Sequence, residues 1–127
     1  MIAQDRSALV IDDVPAMRDL LMRMLRSLGF AKTVGLGSPE EALGLLRTST
    51  FDVILVDWEM TPMTGLQFCR QVRSSGQLPA TTRLVMVTGH GDSQHVLQAR
   101  SAGIDAFLLK PVSREQLASK IKALLAK

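Results

Sequence analysis

The sequence predicts a doubly wound α/β fold, in which helices cover both faces of a five-stranded parallel sheet. Two observations predict it: short apolar runs alternate with amphipathic segments along the chain, and the connections between them are short. Parallel strands need crossover helices, and these bury both faces of the sheet. The chain has 127 residues, of which 46% are hydrophobic and 21% charged, so one globular domain over 1–127 is expected.

The five strands are expected where Val, Ile, Leu and Met form short uninterrupted runs. The third run is apolar on both faces apart from Asp52 at its start, which is typical of a strand covered by helices on each side. The second run is the weakest. The strands are expected at 8–11, 30–36, 51–56, 83–87 and 104–109.

The helices are expected between these strands, and their ends carry capping signals. Pro15 suits the first turn of the first helix, and Gly29 suits its end. Ser38 and Ser113 each begin a capping-box pattern, and Asp92 is the expected cap of the fourth helix. The helices are expected at 15–28, 39–48, 65–74, 92–102 and 114–126.

The distribution of charge and the single cysteine indicate which binding partners and which cellular compartment to expect. The net charge of +3 comes from scattered Lys and Arg residues, without the dense cluster typical of nucleic-acid or lipid binding. Cys69 is the single cysteine, which favours a reduced setting. The sequence shows neither a signal-peptide pattern nor an apolar run of the ~20 residues that span a membrane. A cytoplasmic protein that binds neither nucleic acid nor membrane is therefore expected.

Ionisable or hydroxyl side chains follow four of the expected strands. Carboxyl ends of parallel strands meet at one edge of the sheet, where ligands bind in such folds. Singly, each of these side chains has an ordinary structural explanation, such as a helix cap or a solvated charge. Together they indicate a functional site. They are Asp12 and Asp13 after the first strand, Asp57 after the third, Thr88 after the fourth and Lys110 after the fifth.

The three acids of this group predict a metal site. Carboxylates this close raise each other's pKa unless a cation lies among them. Oxygen ligands without His or Cys, and few enough to leave room for water, suit Mg²⁺ better than caged Ca²⁺. Mg²⁺ in such a place serves phosphate chemistry, in which an aspartate can act as the nucleophile towards a phosphoryl group.

Four short motifs carry these side chains: VIDDV at 10–14, DWEM at 57–60, VTGHG at 87–91 and LLKPVS at 108–113. Together they resemble the receiver domain of two-component response regulators, and stand-alone chemotaxis-type receivers in particular. The resemblance covers nearly the whole chain. It implies the flavodoxin-like strand order 2-1-3-4-5 and a single receiver domain without an attached effector domain.

By this resemblance, Asp57 accepts a phosphoryl group from a histidine kinase or phosphotransfer protein. Thr88 and Lys110 then hold the phosphoryl oxygens. The protein is accordingly expected to catalyse only its own phosphorylation and dephosphorylation. The ion is Mg²⁺, with Mn²⁺ as an alternative, and its implied ligands are Asp13, Asp57, the backbone carbonyl of Glu59 and, through water, Asp12.

The resemblance also implies roles for residues around this site. Phe107 couples to Thr88 as a switch, or is an ordinary core residue, and the peptide bond before Pro111 is expected to be cis. Trp58 abuts the metal site. The Glu59 side chain is expected to point into solvent; ligation, competition with phosphate and positioning of water are the alternatives. His90 is expected to be exposed, with tuning of dephosphorylation as the alternative.

Output is expected to come from protein contact, with the protein a monomer. The expected partner face combines 92–102, 104–109 and 114–126. The fourth helix is expected to be mobile, because its only anchors in the sequence are Val96, Leu97 and Ala99.

Other functions remain open at this stage. One is a receiver-like interaction module that is never phosphorylated. Another is a nucleotide- or flavin-binding domain, although the turn after the first strand, DDVP at 12–15, lacks the glycines that cradle phosphates. A third is an aspartyl-phosphate hydrolase, which would need a longer chain for its cap domain.

Overall fold

The protein, described here over residues 3–126 by a computed structural model, contains five strands and five helices in strict alternation. The strands are β1 (Ser7–Ile11), β2 (Lys32–Leu36), β3 (Val53–Asp57), β4 (Arg83–Thr88) and β5 (Ala106–Leu109). The helices are α1 (Pro15–Ser27), α2 (Pro39–Leu45), α3 (Gly65–Ser74), α4 (Ser93–Ser101) and α5 (Arg114–Leu125). All strands are parallel in the order β2-β1-β3-β4-β5, which confirms the predicted fold.

The helices divide between the two faces of the sheet, and each face has its own apolar core. Helices α1 and α5 cover one face, where Leu25 is fully buried. Helices α2, α3 and α4 cover the other, where Phe68 is fully buried. Side chains alternate along β3, so Ile54 and Leu55 reach opposite cores. Within residues 3–126, no helix has the length and apolar character needed to cross a bilayer.

Four element ends differ from the predicted ones by two or three residues. One is the start of β3, which lies at Val53 instead of residue 51, and the other three have local reasons. Strand β2 begins at Lys32 because Phe30 packs into the core against α1 instead of joining the sheet. Helix α2 ends at Leu45, after which the chain closes in turns up to residue 48. Strand β5 begins at Ala106 because the backbone N–H of Ile104 donates to the last turn of α4. The remaining ends lie close to their predicted positions.

The predicted helix caps form, and one further cap was not predicted. The Ser38 hydroxyl accepts from the backbone N–H of Glu41, and Ser113 forms a complete capping box with Gln116. Thr64 forms a second complete box at the start of α3. This box fixes the end of the loop that leaves β3.

Helix α4 is anchored differently from the prediction. Leu97 is 62% exposed and does not contribute to the core, whereas Ala99 is buried and Val96 is half-buried. The predicted cap is present, since the Asp92 carboxylate accepts from the backbone N–H of His95 at 2.9 Å. Because Leu97 faces solvent and the smaller Ala99 faces the core, the hydrophobic pattern of this helix is too weak to specify which side faces the sheet.

Candidate functional site

Three carboxylates meet at the carboxyl edge of the sheet. Asp12 directly follows β1, and Asp57 is the last residue of β3, which is the neighbouring strand. One carboxylate oxygen from each of Asp12, Asp13 and Asp57 lies within 4.8 Å of the others. Asp12 and Asp57 are buried, whereas Asp13 is exposed. The sheet therefore brings the three predicted acids into one group that opens to solvent on the Asp13 side.

One of the two buried acids, Asp12, has a carboxylate oxygen without a partner among the described residues. Asp12 Oδ1 accepts from the backbone N–H of Val14 at 2.9 Å, but Oδ2 is buried and has no hydrogen bond within residues 3–126. Burial raises the pKa of Asp12. A buried carboxylate oxygen without a hydrogen bond is unfavourable unless a cation interacts with it. The all-oxygen donor set fits a hard divalent cation such as Mg²⁺.

Lys110 brings a positive charge to the same edge. It follows β5, and its Nζ donates to Asp57 Oδ1 at 3.0 Å. Its backbone N–H donates to the Thr88 carbonyl at 2.8 Å, and the peptide bond to Pro111 is cis. Burial acts to lower the pKa of Lys110, but the hydrogen bond to Asp57 and the neighbouring carboxylates outweigh it, so the pKa is raised. Lys110 is thus a firmly charged partner of the Asp57 carboxylate.

The Asp57 carboxyl titrates in an unusual range. Burial raises its pKa from 3.8 to about 6, although the hydrogen bond from Lys110 acts in the opposite direction. Ionisation of Asp57 is therefore less favourable in the folded protein than in the unfolded chain. The folded protein thus favours the protonated Asp57 carboxyl. The stability that this preference contributes is complete below pH 3.8 and is lost as the pH rises through about 6.

This titration predicts a pH-dependent difference between the wild type and the Asp57→Asn variant. Without divalent cations, the variant is expected to be more stable at pH 7.5 by about 1–3 kcal/mol, because it carries no buried carboxylate to ionise. The difference should shrink towards pH 4. Urea unfolding at several pH values measures it, and a difference that is constant or that grows on acidification contradicts the assignment.

Thr88 and Glu59 are joined across the site. Thr88 ends β4, is fully buried, and donates from Oγ1 to Glu59 Oε1 at 2.6 Å. The same Glu59 oxygen lies 3.2 Å from His90 Nε2. The Glu59 side chain is 40% exposed, in keeping with the predicted orientation, but its Oε1 is turned towards Thr88 and His90 and is not free in solvent. The buried Thr88 hydroxyl needs an acceptor, and Glu59 supplies it.

The electrostatics of Glu59 and the exposure of His90 fit this contact. Burial acts to raise the pKa of Glu59, but hydrogen bonding from Thr88 is the largest of several opposing effects, and the pKa is lowered. The His90 side chain is 54% exposed, as predicted, while its backbone N–H donates to Thr88 Oγ1 at 3.1 Å. Glu59, Thr88 and His90 thus form one hydrogen-bonded group beside Asp57.

Comparison with known proteins identifies the family. Residues 8–122 match the response regulator receiver domain model. The chain belongs to this family. The receiver domain is 32% identical over 114 residues to chemotaxis protein CheY of Pseudomonas aeruginosa, covering 90% of this chain and 91% of that protein. The predicted resemblance is confirmed, including its chemotaxis-type character.

Solved structures place the receiver domain in the same fold. It is similar to Vibrio cholerae chemotaxis protein CheY4, with a TM-score of 0.86 and 26% identity over 94% of this chain and 98% of that one. It is also similar to the receiver domain of the Arabidopsis thaliana histidine kinase CKI1, with a TM-score of 0.82 and 28% identity over 96% of this chain and 91% of that one. The CKI1 domain was solved in complex with Mg²⁺ and BeF₃⁻.

The loop that leaves β3 folds back tightly over the end of its own strand in this receiver domain. The Gly65 backbone N–H donates to the Trp58 carbonyl at 3.0 Å, and a Cβ on Gly65 would overlap the Asp57 carbonyl oxygen. Glycine is therefore required here for close backbone approach. The Thr61–Pro62 peptide bond in this loop is cis, which was not predicted.

Aromatic contacts link this loop to α4 and β5. Trp58 is almost buried, with its ring centroid 4.7 Å from that of His95 and 6.4 Å from that of Phe107, which is half-buried. His95 also stacks on His90 at 4.8 Å. His95 was missed at the sequence level because its partner Trp58 is distant in the chain. The one local signal was its position three residues after the helix cap Asp92, to whose carboxylate its Nδ1 lies at 2.7 Å.

Proposed function

We propose that this receiver domain accepts a phosphoryl group on Asp57 from a histidine kinase or phosphotransfer protein, and signals by phosphorylation-dependent protein contact. The observation that carries the proposal is the convergence of Asp57 with Lys110 at 3.0 Å and with two further carboxylates at one strand edge. Membership of the receiver family and the likeness to CheY proteins support it.

The phosphoryl transfer uses groups that are close to each other in the structure. An Asp57 carboxylate oxygen attacks the phosphorus of a phosphohistidine, the new O–P bond forms, and the P–N bond to the donor imidazole breaks. The donor ring is protonated on its other nitrogen before transfer, so it leaves as neutral imidazole. Lys110 Nζ and the Thr88 hydroxyl then bind the phosphoryl oxygens. Attack of water on the acyl phosphate then breaks the O–P bond, releases inorganic phosphate and restores the Asp57 carboxylate.

Mg²⁺ is the ion we assign to the acidic group, and Mn²⁺ would fit the same oxygens. Its proposed ligands are the carboxylates of Asp13 and Asp57 and the backbone carbonyl of Glu59, with Asp12 held through water. The unpaired Oδ2 of Asp12 supports this assignment. When bound, the ion neutralises negative charge on the transferring group.

The face formed by α4, β5 and α5 is the proposed contact surface for the downstream partner. It carries a pocket of about 400 Å³ whose lining includes Phe107, Leu109, Arg100 and Lys120. Leu97 and Leu109 expose apolar surface there. Phe107 connects this face to the phosphorylation site, since its ring also lies beside Trp58.

The competing functions lack support in the structure. The turn between β1 and α1 presents two carboxylates and a Pro instead of a glycine-rich anion cradle, so it does not suit a nucleotide or flavin phosphate. An interaction module that is never phosphorylated would not need the ion pair between Asp57 and Lys110 or the group of three carboxylates beside it.

Trp58, the only tryptophan of the chain, allows a direct test of the proposed function. Mg²⁺ is expected to change its fluorescence, and beryllofluoride or acetyl phosphate should change it further. In the Asp57→Asn variant the second change should be absent. The same samples should show altered amide exchange in α4. A wild type that does not respond, or an equal response in Asp57→Asn, contradicts the proposal.

A further inference from the structure

The Glu59 carboxylate accepts the hydrogen bond of the Thr88 hydroxyl. In the proposed function, this same hydroxyl must contact a phosphoryl oxygen. Thr88 is fully buried, and its hydroxyl carries a single proton that it donates to Glu59 Oε1 at 2.6 Å. A phosphoryl oxygen on Asp57 would need the same proton. The two hydrogen bonds exclude each other, because one O–H cannot serve both acceptors at full strength.

We propose that Glu59 is a positioning residue that holds the Thr88 hydroxyl in the unmodified protein and must release it before a phosphoryl oxygen can bind there. The inference rests on the proposed function. Glu59 thereby competes with the phosphoryl group for the Thr88 hydroxyl. The apparent affinity of the site for a phosphoryl group is reduced in proportion to the fraction of molecules in which this hydroxyl is still free.

His90 keeps Glu59 in this position. Its Nε2 lies 3.2 Å from the Glu59 oxygen that Thr88 contacts, and its backbone N–H donates to Thr88 Oγ1 at 3.1 Å. A phosphoryl group on Asp57 brings negative charge next to the Glu59 carboxylate, and this repulsion favours its release. Release also frees the His90 ring, which stacks on His95 of α4 at 4.8 Å. Phosphorylation and the position of α4 are thereby connected.

Two variants separate competition for the hydroxyl from the effect of charge alone. Glu59→Gln removes the charge and weakens the hydrogen bond. Glu59→Asp keeps the charge but shortens the side chain by one methylene, so the carboxylate no longer reaches Thr88. Beryllofluoride affinity is measured through Trp58 fluorescence at saturating Mg²⁺, and both variants are expected to bind about three- to tenfold more tightly than the wild type.

Controls tie this effect to the Thr88 hydroxyl. Glu40→Gln, the same chemical change at an exposed residue of α2, should leave the affinity unchanged. In a Thr88→Val background, Glu59→Asp should no longer tighten binding, because the hydroxyl for which the two groups compete is absent. In the ligand-free protein, Glu59→Asp should shift the Thr88 methyl resonance in NMR spectra, and Glu40→Gln should not.

Each result decides the inference. Tighter binding in both Glu59 variants, lost in Thr88→Val, supports it. Tighter binding in Glu59→Gln with wild-type affinity in Glu59→Asp overturns it in favour of a charge effect. Unchanged affinity in both variants, or an unshifted Thr88 methyl, overturns it while the proposed function stands. A wild type that does not respond to beryllofluoride and Mg²⁺ overturns the proposed function and this inference together.

Discussion

The Asp57→Asn variant is expected to take up the phosphoryl group of acetyl phosphate far more slowly than the wild type in the presence of Mg²⁺. The amide is nearly the same shape as the carboxylate, but its oxygen is a poor nucleophile and it carries no negative charge to pair with Lys110. Lys110 Nζ lies 3.0 Å from Asp57 Oδ1 in the wild type. In the variant it would keep its position but would no longer face a negatively charged acceptor. The rate of modification should fall on the order of 100-fold or more.

Intact-protein mass spectrometry measures this loss, and peptide mapping under conditions that preserve acyl phosphates locates the modified residue. Asp52→Asn is the matched control, since Asp52 immediately precedes β3 at the opposite edge of the sheet. This control should be modified at the wild-type rate. Modification that persists in Asp57→Asn, or that maps to a different residue in the wild type, would disprove the assignment of Asp57.

Replacing Asp12 with Asn is expected to change Mg²⁺ affinity and stability in opposite directions. The affinity should fall about 10- to 100-fold, because the site loses one of its negative charges and an orienting group. Without Mg²⁺, the free energy of unfolding should rise by about 1–2 kcal/mol, because the variant no longer buries a carboxylate with an unpaired oxygen. A site that is unfavourable without its ion is typical of a functional centre.

Titration of Trp58 fluorescence with Mg²⁺ and urea unfolding in EDTA provide the two measurements for this variant. Asp13→Asn should lower the affinity at least as much, since Asp13 is a proposed direct ligand. Asp19→Asn, on the exposed side of α1, should change neither quantity. Loss of both affinity and stability in Asp12→Asn would indicate that Asp12 has a structural role, and unchanged Mg²⁺ affinity would remove it from the site.

The fold and the main site were predictable from the sequence because their signals are local and repeated. Apolar runs alternate with helical patterns, and several caps mark the helix ends. Once the strands are parallel, their carboxyl ends share one edge. Connectivity therefore places Asp12, Asp57 and Lys110 at the same edge, whereas the strand order that brings them together was implied by the family resemblance. The structure adds their distances and the raised pKa of Asp57, which depends on burial.

The side chains around the site were less predictable because their contacts join distant segments. Glu59 reads in the sequence as an exposed acid in a loop, and only the position of the Thr88 hydroxyl turns it inward. His95 packs on Trp58 from another element, and Leu97 faces solvent although it is the largest aliphatic side chain of its helix. Periodicity cannot resolve such choices when the apolar stripe is weak.

The sequence by itself thus determined the alternation of strands and helices, and through it the edge where acids, hydroxyl and lysine gather. Tertiary structure alone decided which of these groups are partnered. The physical reason is that strand and helix patterns depend on residues that are close together in the sequence. Hydrogen-bond partners and desolvation, by contrast, depend on which atoms of remote segments are packed within about 3 Å of one another.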